Sequence, residues 1–180
     1  MVKQESSSKG KGMAEKLEFK NPVTFELIDK NGNVVSKTVA YNAITSDGQS
    51  YIYEVLGNPA ATIAALDTMS FSSTTALALD TNNDSDPDDT GPTLSSDSVT
   101  CTPSSSATEA ECVATFTFAA DYTPSADGEL ILDDMQSMSV GNGNTVYFTI
   151  VEGDANEPEI PVDDAVAYAS LKITWTITVS

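Results

Sequence analysis

Apolar and polar residues alternate along much of the chain, which is the period-2 pattern of half-buried β-strands. The longest alternation covers residues 171–179, where lysine or threonine follows each apolar residue. We therefore predict a strand there whose core-facing side carries Leu171, Ile173, Trp175, Ile177 and Val179. We interpret the tryptophan of this set as a core anchor rather than a platform for glycans.

A shorter alternation covers 23–27, and residues 34–41 are predicted to return as a second strand. Between them lies Asn31-Gly32-Asn33, a turn signal because Asn-Gly adopts positive φ at low cost. These residues predict a β-hairpin. Further strands are predicted over 98–102, 112–119, 129–140 and 144–151. At least six strands separated by turns indicate an antiparallel β-sandwich, immunoglobulin-like or jelly-roll-like.

One short helix interrupts this pattern. Ser46 followed by Gln49 is the signature of a capping box, in which the serine caps the helix. Ile52, Val55 and Leu56 then recur at helical spacing, and Gly57 ends the run. We predict a helix at about residues 47–56.

The domain organisation follows from where periodicity is found. Residues 1–20 are predicted to be an extended N-terminal arm, and 21–180 a single β-sandwich domain with a long Asp-rich loop at 73–97. The arm is either a floppy terminus or a clamp laid over an acidic or polar neighbour. Its interacting side chains would be Lys3, Lys9, Lys11 and Lys16.

Charge divides the chain in the same way. The formal net charge is −19, with no arginine and no histidine, and residues 1–20 have a net charge of +2. So acidic a body repels nucleic acid and anionic membranes, and neither is predicted as a partner. The first residues show no apolar run of a signal peptide. The expectation is synthesis in a host cytoplasm and release outside the cell.

Acidic residues recur at alternate positions in the predicted loop, as in loops that present oxygens to calcium. They depart from the EF-hand, because Ser85 stands where that loop has glycine and Gly91 replaces its last glutamate. Two interpretations stay open, a surface calcium loop or a solvated acidic loop. The calcium ligands would be Asp80, Asn82, Asp84 and Asp86, and no other cofactor is expected.

Two cysteines, Cys101 and Cys112, flank a serine- and threonine-rich stretch. They could close a hairpin loop as a disulfide in an oxidising environment, or be two buried thiols. By alternation, Cys112 shares the core-facing side of its strand with Phe116 and Phe118.

Catalysis is not predicted. Without histidine, the chain has no Ser-His or Cys-His pair and no ordinary general base near neutral pH. The neighbouring carboxylates at 133–134 and 163–164 would point to opposite faces of a strand, so we expect neither pair to converge.

Two short motifs carry a resemblance. The closing Leu171-Lys-Ile-Thr-Trp-Thr-Ile-Thr-Val-Ser180 and the early Asn42-Ala-Ile-Thr45 with Gly48 resemble small β-rich structural proteins of tailed bacteriophages and archaeal viruses. The resemblance implies a virion part without catalytic residues. The expected function is a capsid-associated decoration, cement or turret subunit, a homo-oligomer that packs against its own copies and other virion proteins. The alternatives are a receptor- or glycan-binding module of a tail, fibre or spike, and a cellular pilus or surface-layer subunit.

Overall fold

The computed structural model describes residues 21–57, 66–71, 77–84, 86, 88–94, 100–103, 109–132, 137–142, 145–151 and 157–178. Its elements in chain order are β1 (Pro22–Asp29), β2 (Val34–Tyr41), β3 (Ala43–Ile44), α1 (Ser46–Gly57), β4 (Thr68–Phe71), β5 (Ala78–Asp80), β6 (Asp89–Thr90), β7 (Thr100–Pro103), β8 (Glu109–Tyr122), β9 (Gly128–Ile131), β10 (Ser137–Asn142), β11 (Thr145–Val151), β12 (Ile160–Val162) and β13 (Tyr168–Thr178).

The largest sheet, sheet I, has five antiparallel strands in the order β2-β1-β13-β8-β7. Strand β13 lies in its centre and pairs with β1 on one side and β8 on the other. In this register Trp175 lies between Val23 and Cys112, and Ile173 lies between Phe25 and Ala114. The side chains that share this side of sheet I are buried, so it is the inner face.

Two four-stranded antiparallel sheets complete the fold. Sheet II has the order β3-β11-β10-β4, and sheet III has the order β12-β9-β5-β6. Their buried residues form one apolar core with the inner face of sheet I. The rings of Phe148 in β11 and Trp175 in β13 have centroids 6.4 Å apart, which places sheet II against sheet I. The fold is mainly β and is consistent with a β-sandwich.

The hairpin between β1 and β2 is confirmed. Asp29 Oδ1 accepts hydrogen bonds from the backbone N–H groups of Asn31 and Asn33, both at 2.8 Å. Gly32 has a φ of 85°, a conformation that side chains disfavour. The hydrogen bonds from Asn33 and then Asn31 lower the pKa of Asp29 to about 2.

Helix α1 begins one residue earlier than predicted, and its capping residue differs from the prediction. Thr45, not Ser46, caps the helix: Thr45 Oγ1 accepts a 3.0 Å hydrogen bond from the N–H of Gly48. The same hydroxyl lies 2.7 Å from the carbonyl oxygen of Val146, so the cap also ties α1 to β11. Sequence spacing alone does not show this second partner.

Two strand predictions need correction. The single strand expected over 129–140 is two strands, β9 in sheet III and β10 in sheet II. The loop expected at 73–97 contains β5 and β6. Strand β5 is buried on both faces, so its sequence does not alternate and gives no period-2 signal.

Candidate functional site

Three exposed carboxylates converge at one end of sheet III. The side-chain oxygens of Asp127, Asp163 and Asp164 lie within 4.8 Å of one another. We call this group the acidic triad. It follows from strand pairing, because the last residue of β12, Val162, lies opposite the first residue of β9, Gly128. The residue before β9 and the two residues after β12 therefore meet.

The prediction that residues 163 and 164 point apart was wrong, because they belong to a turn rather than a strand. The turn holds them in place through backbone hydrogen bonds. The N–H of Asp164 donates to Asp127 Oδ1 at 2.9 Å, and the N–H of Ala165 donates to Asp163 Oδ1 at 2.8 Å. The Asp-Gly step before β9 and the Asp-Asp step after β12 are the sequence signals that could have indicated two adjacent turns.

An open groove of about 540 Å³ runs beside the acidic triad. Besides Asp127 and Asp163, it is lined by Thr81, Asn82, Asn83, Gly128, Glu129, Pro161 and Val162. The surroundings of Glu129 in this groove affect the titration of its carboxyl group. Burial, followed by the charges of Glu159 and Asp80, raises the pKa of Glu129. Carboxylate and amide oxygens are ligands for hard cations such as calcium, so the chemistry of this groove is that of weak cation attraction.

Of the predicted calcium ligands, Asn82 lines this groove, and none of the four belongs to the acidic triad. Asp80 is buried at the end of β5, and its Oδ1 accepts the N–H groups of Asn82 at 2.9 Å and Asn83 at 2.8 Å. Asp84 Oδ1 accepts the N–H of Asp86 at 3.1 Å. Among the described residues, the one group of three carboxylates close enough to share an ion is the acidic triad, and these aspartates are not in it. The hydrogen bonds described for Asp80 and Asp84 shape the loop's own turns.

The two cysteines lie at paired positions on adjacent strands of sheet I. Cys101 in β7 lies directly opposite Cys112 in β8. Cys112 is disulfide-bonded and fully buried, and Cys101 is the one other cysteine in the chain. The bridge thus joins the edge strand of sheet I to its neighbour, at the core side.

The side of sheet I that points away from the core, its outer face, has a different character from the rest of the surface. Its polar groups are mostly threonines, and its charged positions are two lysines and three glutamates. We define the outer face by Thr24, Glu26, Ile28, Lys37, Val39, Tyr41, Glu111, Val113, Thr115, Lys172, Thr174 and Thr176. By register the same side also includes Glu109, opposite Thr178, so three glutamates and two lysines give it a net charge of −1, on a chain whose formal net charge is −19.

A three-residue row of charges crosses the middle of this face. Glu26 in β1 lies opposite Lys37 in β2 and Lys172 in β13. Lys172 Nζ lies 2.9 Å from one carboxylate oxygen and Lys37 Nζ lies 3.3 Å from the other. The hydrogen bond from Lys172, and secondarily the one from Lys37, lowers the pKa of Glu26 against the opposing effect of burial. The carboxylate is thereby neutralised from both sides.

Apolar side chains are concentrated on β2, at the edge of the outer face. Val34, Val35, Val39 and Tyr41 are 52%, 44%, 49% and 44% exposed. They are four of the six large hydrophobic residues exposed in the described part of the chain. A β-bulge places Val35 out of register near the turn, while Val39 and Tyr41 continue the outer face.

The remaining predicted residues belong to the core or to the N-terminal arm. Most of the predicted core residues are buried: Phe116, Phe118, Leu171, Ile173, Trp175 and Ile177. Val179 and the arm lysines Lys3, Lys9, Lys11 and Lys16 lie outside the described residues.

Comparisons with protein-family models, with curated proteins and with solved structures find no match. Within the described ranges, no helical segment has the length and apolar character that a bilayer span needs. The geometry therefore offers two features for a functional hypothesis, the acidic groove and the nearly neutral outer face of sheet I.

Proposed function

We propose that the chain is a virion structural protein, in particular a capsid-associated decoration, cement or turret subunit that works by packing against other proteins. The observation that carries this proposal is the outer face of sheet I, which is nearly neutral and edged by exposed apolar residues on an otherwise strongly acidic protein. The virus setting rests on the resemblance of the closing strand and of the segment before α1 to virion proteins.

Packing is the activity that this surface suits. A net charge far from zero keeps copies apart in solution, so a neutral region is where protein contact costs least. Threonine and valine side chains on a pleated sheet form a surface with little side-chain entropy to lose. The carboxylate at the centre of the face, Glu26, is already paired with two lysines, so contact there does not bury an uncompensated charge.

The scaffold beneath the face supports a structural function. Trp175 and Phe148 fill the core behind it, and the disulfide at Cys112 ties the far edge strand into the sheet. We propose that the sandwich is of the immunoglobulin-like or jelly-roll-like kind, that residues 1–20 extend from it as an arm, and that the finished protein is located in the virion, without nucleic acid or membrane as partner.

The test is copy number in purified particles, measured by quantitative mass spectrometry against isotope-labelled peptides of this chain. A capsid decoration is expected at a copy number of the same order as the major shell protein. A handful of copies per particle would overturn the shell location, and absence from particles would overturn the virion assignment.

A second candidate is a receptor- or glycan-binding module of a tail, fibre or spike. The observation that favours it is Tyr53, which is 63% exposed on α1, the helix whose Tyr51 ring stacks on that of Tyr147 with centroids 4.5 Å apart. Exposed aromatic rings are common contact groups in recognition surfaces. A glycan array probed with wild-type protein and with Tyr53→Ala tests it, and binding that depends on Tyr53 would favour this candidate over shell packing.

Calcium in the loop that contains Asp80, Asn82, Asp84 and Asp86 stays a prediction, in which the ion would stiffen an exposed tip. Melting of the protein with added calcium and with a chelator tests it, because an ion that binds the folded state raises the melting temperature. Equal melting temperatures in the two conditions would remove calcium from the proposal.

A further inference from the structure

We propose that the outer face of sheet I is a self-association surface, on which two copies of this chain pack face to face about a twofold axis. The inference rests on the proposed function and deepens it, since it names both the surface and its first partner. Three properties of the described residues carry it: charge balance, area and the placement of apolar anchors.

Charge balance favours a second copy at this face over the rest of the surface. Two approaching copies each carry a formal net charge of −19, so most pairs of surfaces bring carboxylates together. The outer face holds Glu26, Glu109 and Glu111 against Lys37 and Lys172, a net charge of −1, so two such faces meet with little net repulsion. The acidic groove at Asp127 and Asp163 is the opposite case, because self-contact there would crowd like charges.

The area is of the right order for a stable dimer. Four strands of at least eight residues spaced by about 4.8 Å, together with the four-residue β7, give a sheet of roughly 590 Å² in projection. A standard interface buries about 800 Å² of accessible surface from each partner. Side-chain relief on the face and its rim at β2 supply the difference between the projected and the accessible area.

Val39 and Tyr41 are the anchors. Each is about half exposed, at 49% and 44%, and both lie on the outer face at the β2 edge. In an isologous contact the same patch is used twice, so each anchor contributes two buried side chains. Aromatic residues are over-represented among those that dominate binding energy, which suits Tyr41.

Charge also distinguishes a second copy of the chain from residues 1–20 as the partner that binds the outer face of sheet I. The arm has a net charge of +2 and is drawn to the strongly acidic parts of the surface rather than to a nearly neutral sheet. Association through the arm is an attraction between opposite charges and weakens in salt. Association through the outer face is opposed by repulsion between two acidic bodies and therefore strengthens in salt.

The experiment is sedimentation equilibrium of the full chain over a range of protein concentration and sodium chloride. The wild-type protein is expected to form dimers whose dissociation constant falls as salt rises. Val39→Glu and Thr174→Glu each place two extra carboxylates in the twofold contact and are expected to weaken the dimer by about tenfold or more. Circular dichroism and melting curves establish whether each variant is folded. If one variant is unfolded, the other variant still tests the contact.

The matched control is Val146→Glu, a valine of similar exposure, 38%, on β11 of sheet II. Its dimer is expected to match that of the wild type. The inference is overturned if the wild-type protein stays monomeric at all salt concentrations, or if Val39→Glu and Thr174→Glu dimerise as well as Val146→Glu. It is also overturned if deletion of residues 1–20 abolishes association, because the arm is then the occupant.

The outcome is separable from that of the proposed function. A monomeric protein that is nevertheless abundant in purified particles overturns the dimer and leaves the virion assignment standing. A dimer that depends on Val39 in a protein absent from particles supports the packing surface and overturns the virion assignment.

Discussion

Glu26 receives two lysines at one carboxylate, and this arrangement depends on three strands meeting at the same level. Its side chain is 15% exposed, so partial burial penalises the charge unless a cation compensates. Lys172 and Lys37 supply that compensation at 2.9 and 3.3 Å. The lysine side chains are more exposed, at 38% and 58%, so solvent screening keeps the interaction modest.

We expect Glu26→Gln to lower the free energy of unfolding by about 0.5–1 kcal/mol at pH 7. A carboxylate with a lowered pKa in the folded state contributes stability above its unfolded pKa, and the contribution is lost as pH falls through the folded value. The difference between the wild type and the variant should therefore shrink below about pH 4.5.

Urea denaturation at several pH values measures this difference. Glu111→Gln is the control, since Glu111 is an exposed glutamate of the same face, and a change of less than half that size is expected. Equal stability of the wild type and Glu26→Gln at pH 7 would show that the charged row contributes nothing to folding.

At the scale of elements, the contact between α1 and β11 depends on Gly48. A Cβ atom built at Gly48 would lie 2.0 Å from the carbonyl oxygen of Tyr147 and 2.9 Å from a side-chain carbon of Ile44. Glycine is required because a strand backbone occupies the space of a side chain. Thr45 fixes the approach by bonding both the helix and the strand.

Gly48→Ala is expected to destabilise the protein by roughly 2–3 kcal/mol, although alanine favours helices, because the methyl group meets backbone that cannot move independently. Ser50→Ala in the same helix is the control, because Ser50 is exposed, and a small effect is expected. Thermal melting measures both, and a Gly48→Ala variant as stable as the wild type would contradict the close contact.

The disulfide gives a second element-scale prediction. Reduction is expected to lower the free energy of unfolding by about 2–3 kcal/mol, because the oxidised bridge restricts a short loop in the unfolded chain. Urea titrations with and without a phosphine reductant measure it. The variant with Cys101→Ala and Cys112→Ala should be indifferent to the reductant, and a wild type equally indifferent would contradict the prediction.

Prediction from sequence worked best for elements with a local signal. The hairpin of β1 and β2 has an Asn-Gly turn, and β13 alternates along nearly its whole length. It failed where neighbours far along the chain decide the structure. Strand β5 is buried on both faces, and 129–140 divides between two sheets, which no local period indicates.

The candidate surfaces divide in the same way. Alternation in β13 showed that Lys172 and the threonines point away from the core, but the pairing of Lys172 and Lys37 with Glu26 needs the register of three strands. The acidic triad escaped prediction because Asp127 and Asp163 meet only once β9 and β12 pair.

For the whole molecule, charge is distributed unequally. Residues 21–180 carry 24 of the 27 acidic residues and three of the eight lysines, and two of those three lysines lie on the outer face of sheet I. The rest of residues 21–180 is therefore strongly acidic in sequence, and like charges of this kind repel one another in the folded state.

We expect salt to stabilise the protein and Asp164→Asn to raise its melting temperature by about 1 °C at low ionic strength, because one charge leaves the acidic triad. The gain should vanish at about 0.5 M sodium chloride, where salt screening restricts electrostatic repulsion to short distances. Asp47→Asn is the control and is expected to lower the melting temperature. Asp47 lies in the first turn of α1, where its negative charge interacts favourably with the helix dipole. Melting curves that show no gain for Asp164→Asn at low salt would contradict the repulsion.

The position of β13 between β1 and β8 has a kinetic consequence. Glu26 and Lys172 are 146 residues apart in the chain, so the centre of the largest sheet forms only after almost the whole domain has left the ribosome. The hairpin of β1 and β2 and the pair of β7 and β8 are local and can form during synthesis. Until β13 inserts, the inner edges of β1 and β8 are unpaired, and such edges bind other chains. Insertion of the last strand is therefore both the slow closing step of folding and the step that protects the newly made chain from aggregation.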